Sequence, residues 1–314
     1  MRVYEQLQTY SGKNPVVTIG MFDGVHLGHR QLIKRITSLA ESIGGESVIL
    51  TFWPHPRVFF EKDHTSLKLI TTLEEKIQLL QTTGVSSVVI QTFDEHFSRM
   101  SPYNYIKEVL VERIGAKKIV VGYDHKYGYK GEGDFAFLSQ QAAVFGFDVE
   151  EIPPFDLNHI NISSTKTRES IEQGNIDHAN KFLSYEYFLN GKVVKGRQIG
   201  RKIGYPTANI EVDSNLKLIP GSGVYVVDIK LDGKTYQGVA SVGTNPTIEV
   251  FEKRHTIEAY IFNFNEDIYD RKLTLVFKTR IRDEKKFDSI ITLKDEIAAD
   301  VAYSKAWFNS RENS

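Results

Sequence analysis

Up to about residue 185 the chain alternates short β-branched runs with amphipathic stretches; beyond it, strand follows strand. VVTIG (16–20), SVILTF (47–52), SSVVIQTF (86–93) and KKIVVGY (117–123) are apolar enough to be strands buried on both faces of a parallel sheet. Between them, RQLIKRITSLAES spaces Leu32, Ile33, Ile36 and Leu39 as one side of a helix. LEEKIQLLQTTG does so with Leu73, Ile77 and Leu80, with Gly84 as its C-cap, and NYIKEVLVERIG with Ile106, Val109, Leu110 and Ile114 before Gly115. This alternation predicts a doubly wound, Rossmann-like α/β domain, with FDVEEI (147–152) as a further strand before a helical segment reaching about Tyr185.

The later segments YFLNGKVVKG, YPTANIEV, GVYVVDIKLDGKTYQGVASVG, HTIEAYIFNF and KLTLVFKTRIR are strands separated by turn residues, LDGK (231–234) being a hairpin turn. One long helix follows, from about Ser289 to Phe308, with Ile290, Leu293, Ile297 and Val301 on one stripe. The expectation is a small closed antiparallel barrel with the helix packed on it. At 314 residues the chain has room for two cores, which places domains at 1–185 and 186–314.

Composition removes several classes of function. A net charge of −1 provides no basic field for nucleic acid. The absence of cysteine removes disulfides, thiolate zinc sites and cysteine nucleophiles, and fits a cytoplasmic setting. The start, MRVYEQLQTYSGKN, is too polar for a signal peptide, and no run of about 18 apolar residues suggests a membrane partner.

GMFDGVHLGHR (20–30) follows the first strand and opens the first helix, so His26 and His29 fall at i and i+3 in its first turn and face the same way. Free N–H groups and the helix dipole attract phosphate there, and two imidazoles add donors aimed at the same point. Neither GxxxxGK[ST] nor GxGxxG matches this loop. A zinc pair would need another histidine or a carboxylate, and surface histidines at a plain helix start are the remaining alternative.

GMFDGVHLGH resembles the HxGH signature of the nucleotidyltransferase superfamily. With TFWPHP (51–56) it resembles the N-terminal module of bacterial bifunctional riboflavin kinase/FAD synthetases, and NISSTKTRESIEQGN (161–175) is similar to that family's ISSTxxR element. The resemblance implies catalytic roles for His26, His29 and Arg168. It implies nucleotide or flavin contacts from Gly20, Phe22, Asp23, Gly24, His55, Asp124, Ser163, Ser164 and Thr165. KGRQIGRKIGYPTANI (195–210) resembles the riboflavin-kinase signature, with Gly196, Gly200, Gly204 and Pro206 near ATP. Thr207 and Asn209, at i and i+2 of a strand, then share a face as oxygen ligands for Mg²⁺. Glu258, between Ile257 and Ala259, shares a face with Tyr260 and Phe262 and corresponds to the family's general base.

The resemblance covers Val16 to about Asp300, with three departures. GYDHKYG carries His125 and Tyr127 where phenylalanines are usual, FLSYEY (182–187) lacks a Gly-Arg-Pro junction, and Asp270 replaces the glycine that usually follows Tyr269. The implied activity is riboflavin to FMN with MgATP, then FMN to FAD with a second ATP. A kinase with a weakened adenylyltransferase and a flavin- or nucleotide-binding regulatory protein are the alternatives. Riboflavin, FMN, FAD and ATP are the expected small-molecule partners.

Overall fold

The computed structural model describes residues 1–60, 67–157, 160–196, 200, 203–245 and 254–312. The chain forms two compact units, Met1–Ser164 and Thr165–Ser314.

The first unit is built on six parallel strands: β1 (Arg2–Tyr4), β2 (Val16–Ile19), β3 (Ser47–Trp53), β4 (Ser87–Thr92), β5 (Lys118–Gly122) and β6 (Asp148–Ile152), in the order β1-β4-β3-β2-β5-β6. Alternate side chains feed two separate cores, as a sheet covered on both faces requires. Val17, Ile19, Val48, Leu50 and Val89 meet Ile106, Val109 and Leu110 on one face. Val16, Ile49, Val88 and Val120 meet Leu32, Ile33, Ile36 and Leu80 on the other. Each such side chain contributes roughly 1.5–3 kcal/mol by burial. The doubly wound expectation is met, with two additions. β1 joins the edge beside β4, where the sequence reading had only a polar start. The segment Tyr105–Arg113 winds as a π-helix rather than an α-helix, with Ile114 N donating to Val109 O; its wider turn keeps Tyr105, Val109 and Ile114, four and five apart, all buried.

A short hairpin, β7 (Asp156–Leu157) and β8 (Ile160–Asn161), ends the first unit. The second contains a closed antiparallel barrel in the order β10-β13-β12-β11-β14-β9. Its strands are β9 (Phe188–Val194), β10 (Thr207–Val212), β11 (Gly223–Leu231), β12 (Lys234–Asn245), β13 (Arg254–Ile261) and β14 (Lys272–Arg282). The β11–β12 hairpin turns through Asp232 and Gly233, both at positive φ (48° and 76°), as a two-residue turn demands. Asp270 also adopts positive φ (65°) and pairs with Lys192 at 2.7 Å, so the turn survives without its glycine.

One expectation needs adjusting. The final helix spans Ile290–Glu312, but Ile290 is 64% exposed and is not on its docking face. The helix docks through its second half: Asp300 accepts two bonds from Arg282 (2.9 and 2.8 Å), Ser304 donates to Gly238 O, and Phe308 packs with Val224, Val226 and Phe262. The packing boundary also differs from the change in strand pattern at 185. Helices Ser164–Glu172 and Ile176–Leu183 lie against the barrel: Asn180 Nδ2 donates to Phe277 O, Thr279 Oγ1 donates to Asp177, and Gly221 N donates to Ile171 O.

Candidate active sites

In the first unit the strand order reverses at β2, which has β3 on one side and β5 on the other. In open α/β sheets, ligands bind beyond the carboxyl ends of the strands at such a point. The chain leaving β2 there is Gly20–His26. It turns through Phe22, Gly24 and Val25, all at positive φ (51°, 81° and 40°). A β-branched residue in that region is strained. It persists because Phe22 and Val25 are fully buried and the turn is clamped from a distant segment. Asp23 accepts from Ile70 N (3.2 Å), Thr71 N (3.0 Å) and Thr71 Oγ1 (3.3 Å), and Gly24 N donates to Thr71 Oγ1. Gly24 has no room for a side chain: a Cβ would lie 2.9 Å from Ile70.

The helix Leu27–Ser42 starts one residue later than His26, which is its N-cap and accepts from His29 N through Nδ1 at 3.4 Å. The two rings stack, centroids 3.6 Å apart and 18° from parallel, with Phe22 tilted against His29. Burial pushes the His26 imidazole down to about 4, against the opposing pull of Asp23. His29 lies well below its ordinary value through burial, then through the nearby charges of His26 and Lys76. Both rings are therefore neutral at pH 7. Because Nδ1 of His26 is an acceptor, its proton sits on Nε2, a donor. His29 Nδ1 is buried with no partner among the described residues.

The same sheet edge carries further expected residues. His55, past β3, accepts from Arg57 N at 3.1 Å and starts the short helix Pro56–Phe60. Asp124, past β5, is exposed. His125 stacks on Tyr127 (5.8 Å, 19°), which continues through Tyr105, Phe97 and Phe52, so the two departures extend an aromatic run. Burial lowers His125 to about 4, with Asp124 opposing.

On the barrel, register decides what meets. β10 pairs with β13 so that Asn209 lies opposite Glu258 and Thr207 opposite Tyr260. Ile257, Ala259 and Ile261 are buried, which turns Glu258 and Tyr260 to the other face with Thr207 and Asn209. Thr207 Oγ1 donates to Glu258 Oε2 at 2.8 Å. Two glycines lie against these residues: a Cβ on Gly196 would come within 2.1 Å of Asn209 Nδ2, and one on Gly200 within 2.2 Å of Tyr205 O and 3.3 Å of Thr207 Oγ1. Gly204 adopts φ 88° with open space around it.

Comparison with known proteins gives these two sites a common context. A family model described as FAD synthetase matches residues 9–166, and one described as riboflavin kinase matches 183–308. Bifunctional riboflavin kinase/FMN adenylyltransferases are similar along almost the whole length. The Listeria monocytogenes protein is 35% identical over 96% of this chain and 94% of its own. The Escherichia coli K12 protein is 34% identical over 93% and 92%. The chain belongs to the bifunctional riboflavin kinase/FMN adenylyltransferase family. A crystal structure from Streptococcus pneumoniae, titled as a macrolide-efflux protein, superposes with a TM-score of 0.88 at 31% identity over 97% of this chain and 98% of its own. Among the described residues of this chain, no helix is long and apolar enough to cross a membrane.

Within this family context, the placement of the expected site residues sorts them. Phe22, Asp23 and Gly24 are buried, and Asp23 and Gly24 tie the loop to Ile70 and Thr71. Ser164 donates to Asp23 O at 3.0 Å, so it fastens its segment to the loop, while Thr165 is exposed. Gly20 lies against Phe22, where a Cβ would be 3.2 Å from the ring. Pro206 is exposed beside Thr207, and Arg168 is half-buried on helix Ser164–Glu172. One residue escaped the sequence reading. Lys76 is 4% exposed, with Nζ 3.1 Å from both Met21 O and Thr51 Oγ1. Its signal was present: it sits three after Leu73 and four before Leu80, on the apolar side of its helix.

The neutral histidines make the first unit acid-sensitive. An unfolded histidine takes up its proton near pH 6.5, whereas folded His26 does so only near 4. The unfolded state therefore binds more protons in that interval, and stability is full above about pH 6.5 and falls towards pH 4. For His26 the loss is roughly 3 kcal/mol, at about 1.4 kcal/mol per pH unit, with His125 acting in the same direction. The two tryptophans, Trp53 and Trp307, report one unit each. In a Trp307→Phe variant, the Trp53 melting transition should drop steeply between pH 6.5 and 4. In Trp53→Phe, the Trp307 transition should drop less; equal shifts would contradict the assignment.

Proposed function

We propose that this chain phosphorylates riboflavin to FMN on the barrel and adenylylates FMN to FAD at the histidine loop. The reading rests on one conjunction: a stacked neutral histidine pair at a sheet's switch point and a Thr207–Glu258 bond on a barrel, each within the segment that the matching family description covers.

In the kinase step Glu258 takes the proton of the riboflavin primary hydroxyl as that oxygen attacks the γ-phosphorus of ATP, and ADP leaves. The Thr207 hydroxyl, already bonded to Glu258, fixes the carboxylate's orientation. Thr207 and Asn209 fit Mg²⁺, since their oxygens share a face and Gly196 leaves Asn209 unobstructed. Bound there, the ion would neutralise charge on the ATP phosphates. In the second step an oxygen of the FMN phosphate attacks the α-phosphorus of another ATP, and pyrophosphate leaves. His26 Nε2–H, His29 and the helix N-terminus donate to the phosphate oxygens as charge builds, and Ser163 binds the phosphate chain. Neither step needs a covalent enzyme intermediate.

A Gly196→Ala variant tests the kinase geometry. Its methyl must displace the Asn209 side chain, so FMN formation should fall by about tenfold or more. Unchanged FMN formation would mean that Asn209 does not hold the nucleotide's metal. The whole reading is tested by incubating the protein with riboflavin and MgATP and separating the flavins by chromatography. FAD supports it. FMN alone supports the second reading, a weakened adenylyltransferase, for which the buried Nε2 of His125, without a partner among the described residues, is the motive. No product overturns both.

A further inference from the structure

A polyphosphate site needs positive charge, yet both histidines of the loop are neutral. The buried cation beside them is Lys76. It projects from helix Leu73–Gln81, which a Thr72–Glu75 capping box anchors, to the carboxyl ends of β2 and β3. There its ammonium donates to Met21 O and Thr51 Oγ1 (both 3.1 Å), while Thr51 Oγ1 lies 3.3 Å from the same Met21 carbonyl. Met21, whose carbonyl this three-way knot holds, immediately precedes the strained Phe22–Val25 turn. Trp53 caps it, with its ring centroid 5.9 Å from Nζ. An ammonium has three N–H donors, and these two bonds use two of them.

We propose that Lys76 is a positioning residue of the adenylyl-transfer site: its buried ammonium locks the Met21–Thr51 floor of the histidine loop and is the fixed positive charge against which the stacked His26–His29 pair receives phosphate. This rests on the functional reading above. The charged and titratable groups acting on the pair are Asp23 in the loop, Lys76 beneath it and the two imidazoles themselves. Burial lowers the Lys76 ammonium to about 8, with Asp23 opposing, so it remains mostly charged at pH 7. Its charge adds to burial in keeping His29 neutral.

The test uses the full chain with Lys76→Gln, which retains two N–H donors but carries no charge, and Lys76→Met, which retains neither. Two readouts are followed: FMN-to-FAD rates from pH 5 to 9, and the His29 imidazole titration by NMR, which needs no substrate. We expect FAD formation at pH 7.5 to fall by about tenfold or more in both variants, mainly in kcat. The His29 titration should move to higher pH, and riboflavin phosphorylation should be unchanged. A merely structural lysine would be rescued by glutamine, with no movement of the histidine titration; that outcome overturns the proposal. If neither variant loses FAD formation while His29→Ala does, Lys76 is excluded and the site stands. If His29→Ala also keeps full activity, it is the site assignment that fails. Should Lys76→Met lose the Trp53 transition, the glutamine variant and its titration decide alone.

Discussion

Replacing His29 by alanine is expected to lower conversion of FMN to FAD by about 10²-fold or more, with riboflavin phosphorylation continuing at the parent rate. The size follows from removing a donor aimed at transition-state charge in a site shielded from water. The ring is stacked on His26 and tilted against Phe22, so its loss also frees the neighbouring imidazole to move. Melting followed through Trp53 separates lost chemistry from a lost fold. Near-parent conversion of supplied FMN by a folded variant would remove the histidine loop from the mechanism.

Glu258→Gln should give the opposite lesion. Glutamine keeps the length and can still accept the Thr207 hydroxyl bond, but it cannot take a proton. A general base contributes about 10²- to 10⁴-fold, so FMN formation should fall within that range while FMN adenylylation is untouched. If FMN still appears at the parent rate, Glu258 is a surface residue that pairs with Thr207 for stability alone.

The sequence makes the architecture, and which side chains meet, legible where the relevant periods are local. His26 and His29 meet because an N-cap side chain folds back onto the third residue of its helix; Thr207 and Asn209 share a face because a strand alternates. What stayed hidden depends on distant partners. Asp23, in a glycine-rich loop, looks like a ligand-binding carboxylate, but its oxygens are taken by Ile70 and Thr71, nearly fifty residues away. β1 is three residues long, sits at a sheet edge and carries no alternation to detect. Helices Ser164–Glu172 and Ile176–Leu183 are amphipathic by themselves, and nothing in that pattern says which core receives them. The final helix was legible in part: Val301 of its stripe packs against the barrel core, whereas Ile290 is exposed. Its anchor is a charged pair, Asp300 with Arg282, that an apolar stripe cannot show. Lys76 is the converse case: a charge on an apolar stripe, which a count of hydrophobic positions passes over.

Mixing the two crippled variants tests the central claim, that two separate sites in one chain act in series through a common product. Glu258→Gln alone, given riboflavin and MgATP, should leave riboflavin largely unchanged, and His29→Ala alone should stop at FMN. Combined in one tube, they should produce FAD, since FMN released by the second is adenylylated by the first. Failure of the mixture to make FAD while FMN accumulates, or FAD formation from riboflavin at the parent rate by either variant alone, would contradict the account.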